Sequence, residues 1–145
     1  MKNMGFNMLR KHIKVEPYLW YYYCDILGVL VWQDMINGGR HYNPLVISTP
    51  LITKIHFKDS RYSWFARSDK AGRDEYYREL EEMVKQLINV PSLAMWVLFN
   101  EGWGQFDSDA IYDLAKSVDD TSLMDSTSGW FWQGKSDFDS EHIYF

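Results

Sequence analysis

The chain has 145 residues, a formal net charge of −5 and an aromatic content of 17%, including seven Trp and ten Tyr. Its acidic balance argues against a nucleic-acid partner, because phosphate backbones are bound by basic surfaces, and no stretch approaches the roughly 20 apolar residues that span a bilayer. No signal-peptide pattern is visible at the start, and the sequence does not identify the cellular compartment. The high aromatic content fits either core packing or a ligand site with flat apolar faces, such as a sugar-binding cleft.

The first part of the chain predicts a strand, a helix and a second strand. Residues 2–10 are typical of the end of a helix that runs directly into a strand over 6–9, as if an earlier part of a domain preceded them. The alternative is a short complete domain with an early strand. The next element opens with Pro17, which suits a first helical turn, and ends before Gly28, a common helix-ending residue. A second, buried strand is predicted over 29–32.

A long irregular region separates this strand from the second half of the chain. Residues 35–70 are too many for an ordinary βα connection, and loops of this size are usually functional or locally disordered. Within them, residues 45–57 could form a short helix or strand. The remaining predicted elements are an amphipathic helix over 74–88, a strand over 93–99, a helix with Ser108 as its N-cap, a strand over 123–125, and a strand over 141–145 that is cut off at the chain end.

Strands that alternate with helices predict an α/β fold with a parallel sheet, either an open doubly wound sheet or part of a (β/α)8 barrel. No GxGxxG or GxxxxGK sequence follows the first strand, so the usual nucleotide signature is missing and we expect no cofactor. Polar groups follow the strands instead, as in the active site of a barrel: Arg10, Lys11 and His12; Gln33 and Asp34; Asn100 and Glu101; Asp125 and Ser126; His142 and Tyr144. A complete barrel needs about 250 residues, so five strands predict a single incomplete barrel domain over residues 1–145.

The most informative motif lies at the end of the third predicted strand. Residues 93–99 are seven apolar residues that run straight into Asn100 and Glu101. In a parallel sheet the body of a strand is buried on both faces, and ligand-facing groups lie at its carboxyl end. Glu101 is therefore a catalytic candidate, with helix capping or an ion pair to a nearby Arg as the alternative.

Four segments follow one another along the chain: residues 5–12 (GFNMLRKH), 20–28 (WYYYCDILG), 31–34 (VWQD) and 91–101 (PSLAMWVLFNE). In this order they resemble the catalytic barrel of glycoside hydrolase family 2, which contains β-galactosidases, β-glucuronidases and β-mannosidases. The resemblance implies a partial TIM barrel that contains approximately strands two to six of the family's barrel. The long loop then follows the third strand of that barrel, which is the second strand predicted in this chain. It also implies that the family's strand-one residues and its nucleophile lie outside this chain.

The same resemblance implies roles for individual residues. Glu101 would be the general acid/base, and Asn100 would hold the sugar 2-hydroxyl. Tyr144 or His142 would lie at the strand-six position, where a side chain reaches toward the nucleophile. Retaining glycosidases place two carboxyl groups about 5–5.5 Å apart, one protonating the leaving oxygen and one attacking the anomeric carbon. Apolar neighbours such as Trp103 would favour the neutral, proton-donating form of the acid.

The second carboxylate has one candidate within the chain. Ser140-Glu141-His142 is similar to the context of the family's nucleophile on strand seven. Glu141 follows Glu101 by only about 40 residues, however, and at roughly 30 residues per βα unit this leaves room for little more than one unit. The spacing favours strand six for Glu141, and we expect the nucleophile outside the chain.

Further candidates surround the predicted cleft. Arg10 and His12 are expected to face it, although the family's galactosidases usually place the His three residues after the Arg rather than two. Asp34 could hydrogen-bond a sugar hydroxyl, or could form an ion pair with Arg10 or Lys11 instead.

Three Trp residues that follow strand ends, Trp103, Trp130 and Trp132, carry flat rings suited to sugar stacking, with loop packing as the alternative. His41 and His56 lack spaced Asp, Glu or His partners, so we expect no metal site.

The sequence thus predicts a retaining glycoside hydrolase that acts on a carbohydrate substrate and is represented by a central barrel fragment. A non-catalytic carbohydrate-binding or degenerate barrel protein is the alternative, and another barrel hydrolase family with a strand-four Asn-Glu pair is a third. We expect the isolated chain to be inactive and poorly stable, and to self-associate through exposed barrel edges.

Overall fold

The computed structural model describes residues 1–53 and 55–144. A short 3-10 turn at Lys2–Met4 precedes the regular elements. These are β1 (Met8–Lys11), α1 (Tyr18–Leu27), β2 (Leu30–Asp34), α2 (Pro44–Ile52), α3 (Lys70–Leu87), β3 (Leu93–Val97), α4 (Ser108–Val118) and β4 (Leu123–Asp125).

The four strands form one sheet in the order β1-β2-β3-β4, and every neighbouring pair is parallel. Each crossover between consecutive strands contains at least one helix, as the alternating pattern predicts. Because the strands are parallel, their carboxyl ends lie along the same edge of the sheet, which collects the polar residues that follow them. Strands β1 and β4 are the two outer strands of this sheet.

Helix ends follow the local chemistry of the sequence. Helix α1 ends at Gly28, whose φ of 62° lies in the left-handed region that glycine adopts without strain, as predicted. Helix α3 begins at Lys70, four residues earlier than predicted, because the carboxylate of Asp69 accepts a hydrogen bond from the backbone N–H of Gly72 at 3.0 Å.

The first strand lies two residues later than the predicted strand over 6–9. Gly5 has a φ of 87°, which turns the chain out of the 3-10 helix, and Phe6 is exposed rather than buried in the sheet. The ladder starts where Met8 lies opposite Leu30.

The long segment after β2 contains helix α2. The sequence left open whether a helix or a strand forms there, and the structure shows a helix. Asn43 caps this helix by accepting a hydrogen bond from the N–H of Leu45 at 3.0 Å. Val46 is its buried residue, and it belongs to a small apolar cluster with Phe65, Trp130 and Phe131. The long loop therefore packs against the segment that follows β4.

A second contact fastens the same loop to α4. The backbone N–H and the hydroxyl of Ser108 donate to the carboxylate of Asp59 at 3.0 and 2.6 Å, and Gln105 donates to it at 3.0 Å. The N-cap position is occupied by Asp107, which is in the left-handed region and makes no side-chain cap bond. The expectation that Ser108 caps the helix is wrong: Ser108 is the first helical residue, and the capping carboxylate comes from the loop.

The predicted fifth strand is also wrong as far as the structure describes it. No strand is present over residues 141–144, and Phe145 lies outside the described residues. Side-chain bonds replace a backbone ladder here, because the hydroxyl of Ser140 donates to Asp125 at 2.8 Å and accepts from the N–H of Gly129 at 3.1 Å. The described chain contains four strands rather than five.

The main hydrophobic core lies between the sheet and the helices. Its largest fully buried members come from β3, from α1, α3 and α4, and from the segments after β3: Trp96, Tyr21, Tyr76, Leu80, Leu87, Leu98, Phe99, Phe106 and Ile111. Among the described residues, no helix combines the length and the apolarity needed to cross a membrane.

Candidate active site

Glu101 lies just beyond the carboxyl end of β3, where the chain leaves the sheet. Its backbone N–H donates to the carbonyl of Ser128 at 2.9 Å, and Asn100 forms an isolated parallel bridge with the same residue. Glu101 has a φ of 53° and Gly102 a φ of 71°, so the chain turns sharply here. A Cβ on Gly102 would lie 2.6 Å from the ring of Phe131, which explains the glycine. The turn holds the Glu101 side chain at the strand ends with 7% of the residue exposed.

Among the described residues, the carboxylate of Glu101 has two side-chain partners, and both bind the same oxygen. Nδ1 of His142 lies 2.8 Å from Oε1, and the hydroxyl of Tyr144 donates to that oxygen. The hydrogen bond to Glu101, together with burial, raises the pKa of Tyr144. The resemblance implied that His142 or Tyr144 reaches toward the nucleophile, whereas in the described structure both contact the candidate acid/base.

The imidazole of His142 has contacts in addition to the one with Glu101. Its Nε2 lies 3.2 Å from the hydroxyl oxygen of Ser128, and its backbone carbonyl accepts from Nε1 of Trp130 at 3.4 Å. Its ring packs against Gly129, where a Cβ would lie 2.5 Å from Cγ of the imidazole. These contacts orient the ring relative to Glu101.

Asp125, at the end of β4, fixes the start of the same segment. It is 3% exposed, and burial raises the pKa of its carboxyl even though hydrogen bonds from Ser140, Ser128 and Thr127 act in the opposite direction. Sequence reasoning noted Asp125 only as a polar strand end, and Ser140 only as part of the segment that is similar to the context of the family's nucleophile. The residues around position 140 carry no local signal that could have revealed the pairing.

Asn100 is oriented by a charged pair from the two preceding strands. The guanidinium of Arg10 donates to both carboxylate oxygens of Asp34, at 2.8 and 2.9 Å, and also to Oδ1 of Asn100 at 2.9 Å. Nδ1 of His12 lies 3.0 Å from Asp34. Of the two accounts offered for Asp34, the structure shows the ion pair with Arg10, while Lys11 pairs with Glu16 instead.

Aromatic rings flank the strand ends on two sides. Trp103 stacks on Tyr42 with ring centroids 5.9 Å apart and remains 37% exposed. Trp130 is nearly buried and packs edge-on against Tyr144, while Trp132 keeps 41% of its surface exposed. Trp130 therefore packs within the loops, whereas Trp103 and Trp132 are the two rings of this group that retain exposed surface.

A cavity of about 210 Å³ lies beside these residues, and we refer to it as the aromatic cavity. Its lining includes Trp130, Trp132, His142 and Tyr144, together with Pro50 and Leu51 from the end of α2. The exposed Glu141 also lines it. Within residues 1–53 and 55–144, no group of three or more His, Cys, Asp or Glu side chains is arranged to hold a metal ion.

Residues 1–140 match glycosyl hydrolases family 2, TIM barrel domain. The chain belongs to this family. A curated relative, Beta-mannosidase B of Thermothelomyces thermophilus, is 28% identical over 130 residues, an alignment that covers 89% of this chain and 11% of that protein.

Two solved structures show the same fold. One is Parabacteroides merdae beta-glucuronidase, with 24% identity, a TM-score of 0.56 and coverage of 86% of this chain and 14% of that chain. The other is a GH2 beta-galacturonidase from Eisenbergiella tayi bound to galacturonate, with 20% identity, a TM-score of 0.59 and coverage of 85% and 19%.

Membership of the family 2 barrel confirms the predicted fold class, a partial TIM barrel built from parallel βα units. The chain spans about a tenth of the length of the curated relative and less than a fifth of the two structural relatives. The individual roles of Glu101, Asn100, Arg10 and the other site residues stay predictions.

Proposed function

We propose that this family 2 chain contributes the acid/base half of a retaining glycoside hydrolase active site. Glu101 is the general acid/base, and the nucleophilic carboxylate comes from residues outside these 145. The observation that carries the proposal is the buried Glu101 carboxyl at a strand end, beside an Asn whose amide is oriented by Arg10. Residues from several strand ends converging on one face are how a barrel builds its active site.

The two oxygens of Glu101 have different surroundings, which supports a proton-donating role. Among the described residues, both side-chain hydrogen bonds to this carboxyl go to Oε1. Oε2 is then the oxygen that carries the proton to the leaving group. As the nucleophile attacks the anomeric carbon, the bond to the glycosidic oxygen breaks and that oxygen takes the proton from Oε2; in the second step Oε2 takes a proton from the attacking water.

Asn100 is positioned to hold a sugar hydroxyl. Because its Oδ1 accepts from Arg10, the amide is oriented with its NH₂ group directed away from the guanidinium and available as a donor. An amide donor to the 2-hydroxyl strengthens as the oxocarbenium-like transition state forms. The ion pair with Asp34 holds the Arg10 guanidinium that orients this amide. We therefore assign Arg10 and Asp34 to positioning Asn100.

Three further residues complete the proposed site. We propose that His12 and Trp103 shape the cleft around the sugar through their exposed side chains, and that Trp130, which is nearly buried, shapes it by packing against Tyr144. The relatives include a protein named beta-mannosidase and structures named beta-glucuronidase and beta-galacturonidase. We therefore propose a β-linked hexoside or uronide as substrate, with the sugar to be identified by a panel.

The test uses the longest natural protein that contains this sequence, with a panel of aryl glycosides whose leaving groups differ in basicity. Glu101→Gln should lower kcat/KM on phenyl glycosides by about 10²- to 10⁴-fold, the usual contribution of general acid catalysis. The loss should be much smaller on 2,4-dinitrophenyl glycosides, whose leaving group needs no proton. Glu82→Gln, on the exposed face of α3, is the matched control and should retain full activity.

Undiminished cleavage of phenyl glycosides by Glu101→Gln would overturn the acid/base assignment. Glycan binding without cleavage of any panel member would favour the non-catalytic alternative.

A further inference from the structure

Gln105 is a fully buried amide on the same turn as Glu101, and its side chain joins two distant segments of the chain. Its NH₂ group donates to the carboxylate of Asp59 in the long loop at 3.0 Å and to the backbone carbonyl of Phe131 at 3.0 Å. Its backbone N–H donates to the carbonyl of Gly102 at 3.3 Å and closes the turn. One residue of the turn thus binds both the loop after β2 and the segment after β4.

The backbone of Phe131 is held in a conformation that places its ring against this turn. The φ of Phe131 is 58°, in the left-handed region that an aromatic residue adopts only under constraint. Two side-chain amides, those of Gln105 and Gln133, donate to its carbonyl at 3.0 and 2.7 Å. A Cβ on Gly102 would lie 2.6 Å from the Phe131 ring. The ring therefore lies directly against the residue that follows Glu101.

We propose that Gln105 and Asp59 are positioning residues for Glu101. Their hydrogen bonds hold the Phe131 ring against Gly102 and thereby fix the turn that keeps the Glu101 carboxyl at the strand ends. We refer to the Asp59 carboxylate, the Gln105 amide and the Phe131 carbonyl as the loop bridge. The inference rests on the proposed function, and it gives the long loop a role in acid catalysis.

Packing alone does not account for the polarity of the loop bridge. Asp59 is 6% exposed and Gln105 is 0% exposed, so both polar side chains have lost their contact with water. Oε1 of Gln105 is buried and has no hydrogen-bond partner among the described residues. An apolar side chain of the same size would fill this space without an unpaired acceptor. What only the amide supplies is one nitrogen that donates to both Asp59 and Phe131.

Backbone strain is concentrated around the loop bridge. Five non-glycine residues of the described chain have a positive φ, and three of them are Glu101, Asp107 and Phe131, at 53°, 41° and 58°. Asp107 directly precedes Ser108, whose N–H and hydroxyl donate to Asp59. Strained residues persist only where surrounding contacts fix them, and they cluster at active sites. The loop bridge supplies such contacts beside all three positions.

The test uses the longest natural protein that contains this sequence, with a phenyl and a 2,4-dinitrophenyl glycoside of the same sugar. In Gln105→Met a side chain of similar size fills the site but cannot donate to Asp59 or Phe131. We expect kcat/KM on the phenyl glycoside to fall by about 10- to 100-fold, because a misplacement of about 1 Å can cost up to roughly 100-fold. On the 2,4-dinitrophenyl glycoside, whose leaving group needs no proton, the loss should stay below about threefold.

A second readout comes from the hydrolysis step of the 2,4-dinitrophenyl glycoside. A misplaced base slows the attack of water, so the glycosyl-enzyme intermediate accumulates, and kcat and KM should fall together in Gln105→Met. Azide, which needs no base, should restore kcat. A merely structural role would reduce the amount of active enzyme and lower kcat/KM by the same factor on both substrates. That equal loss, or no loss on either substrate, would overturn the proposal.

Asp59 provides a second pair of variants that leaves the turn itself unchanged. The three donors from Gln105 and Ser108 all bind its Oδ2. Asp59→Asn can place its amide oxygen at the same point and should keep most of the activity. Asp59→Leu removes the acceptor and should show the same substrate dependence as Gln105→Met. Equal losses in Asp59→Asn and Asp59→Leu would overturn the role of Asp59.

Two further variants separate positioning from loss of fold. Leu87 is fully buried at the end of α3 and is not part of the loop bridge, so Leu87→Ala should lower the midpoint of thermal unfolding without changing the ratio of kcat/KM between the two substrates. Gln133→Met removes only one of the two donors to Phe131 and decides the question if Gln105→Met does not fold. It should show the same substrate dependence with a smaller loss, and an unchanged ratio would overturn the proposal.

Glu101→Gln distinguishes failure of this inference from failure of the proposed function. If Glu101→Gln loses activity mainly on the phenyl glycoside while Gln105→Met loses it equally on both substrates, the loop bridge alone is wrong. If Glu101→Gln cleaves the phenyl glycoside like the wild type, the acid/base assignment is wrong as well.

Discussion

Nδ1 of His142 lies 2.8 Å from Oε1 of Glu101, and this contact joins the end of β3 to a segment some 40 residues later in the chain. Because Ser128, Gly129 and Trp130 hold His142 in place, the contact also fixes the rotamer of Glu101. A carboxyl that must first donate and then accept a proton at one point in space gains from such positioning.

The first prediction concerns this contact. His142→Phe keeps a ring on Gly129 but removes the bond to Glu101, and it should lower kcat/KM on poor leaving groups by roughly 10- to 100-fold, because a hydrogen bond to a charged group is worth about 1.5–3 kcal/mol. His142→Asn, whose amide can occupy the place of Nδ1, should lose less. If His142→Phe lost the same fraction of kcat/KM on good and on poor leaving groups, the residue would not act through Glu101.

Gly129 allows a second prediction that leaves His142 itself unchanged. In Gly129→Ala the new Cβ would lie 2.5 Å from the imidazole at a φ of 90°, so His142 must move away from Glu101. We expect a loss of activity similar to that of His142→Phe, together with a lower midpoint of thermal unfolding. Gly38→Ala is the control, because a Cβ there meets nothing within 4 Å. Full activity in Gly129→Ala would contradict the proposed packing.

Arg10 should matter for stability as well as for substrate binding. Asp34 is 1% exposed, and Arg10→Ala would leave its buried carboxylate without the guanidinium that now binds both oxygens. We expect a loss of about 2–3 kcal/mol in the free energy of unfolding, below the range for fully buried pairs because the Arg10 side chain is partly exposed. Urea unfolding measures this loss.

Asp74→Ala is the comparison for Arg10→Ala. It removes the exposed ion pair between Lys70 and Asp74 on α3 and should cost no more than about 0.5 kcal/mol. Equal losses in the two variants would show that the Arg10–Asp34 pair is not buried in solution.

Asp119 makes stability depend on pH in a defined direction. Burial alone would raise the pKa of its carboxyl, but hydrogen bonds from Trp96, Ser122 and Thr121 together outweigh burial and hold the pKa well below its usual range. A lowered pKa in the folded state means that the unfolded chain binds more protons, so the stabilisation is complete above the unfolded pKa of about 3.9 and is lost as the pH falls through the lower, folded pKa.

The test of Asp119 compares wild type with Asp119→Asn. The variant should be less stable at pH 7, and the difference between the two proteins should shrink as the pH drops below about 4. Urea unfolding followed by Trp fluorescence at several pH values measures it. A difference that is constant down to pH 2 would contradict the account.

The isolated 145-residue chain should associate rather than remain a stable monomer. The outer edge of β1 pairs with no strand of the described sheet, whereas the outer edge of β4 is bonded by the segment that follows it, where the N–H of Asp137 donates to the carbonyl of Met124 at 3.0 Å. In addition, α1 exposes a set of large apolar side chains, namely Tyr18, Leu19, Tyr22, Tyr23, Ile26 and Leu27. Unpaired edges and apolar patches of this kind promote association. Sedimentation velocity should show species larger than the monomer, and a well-folded monomer would contradict this prediction.

Much of the fold follows from local sequence. The helix between Pro17 and Gly28, the amphipathic helix α3 and the apolar run of β3 each carry a periodic pattern with clear end signals, and the structure contains all three. Asn100 and Glu101 could be placed at the sheet edge because an abrupt change from apolar to polar residues marks the end of a buried strand.

The sequence-based predictions were wrong where contacts between residues far apart in the chain determine the local structure. Asp59 caps α4 from the long loop, so Ser108 looked like the cap when only the nearby sequence was considered. The segment over 141–144 has an alternating, strand-like composition, but its position is set by the pairing of Ser140 with Asp125. No local pattern encodes such pairings, since they depend on which segments the fold brings together.

The most direct test of the central claim is azide rescue of Glu101→Ala in the full-length protein. With a 2,4-dinitrophenyl glycoside the variant should form its glycosyl-enzyme intermediate and then stall, because no base activates water in the second step. Azide, which needs no base, should restore turnover and give a glycosyl azide with the anomeric configuration of the substrate, as read by NMR. Absence of rescue, or a product of inverted configuration, would contradict the assignment of Glu101 as the acid/base of a retaining enzyme.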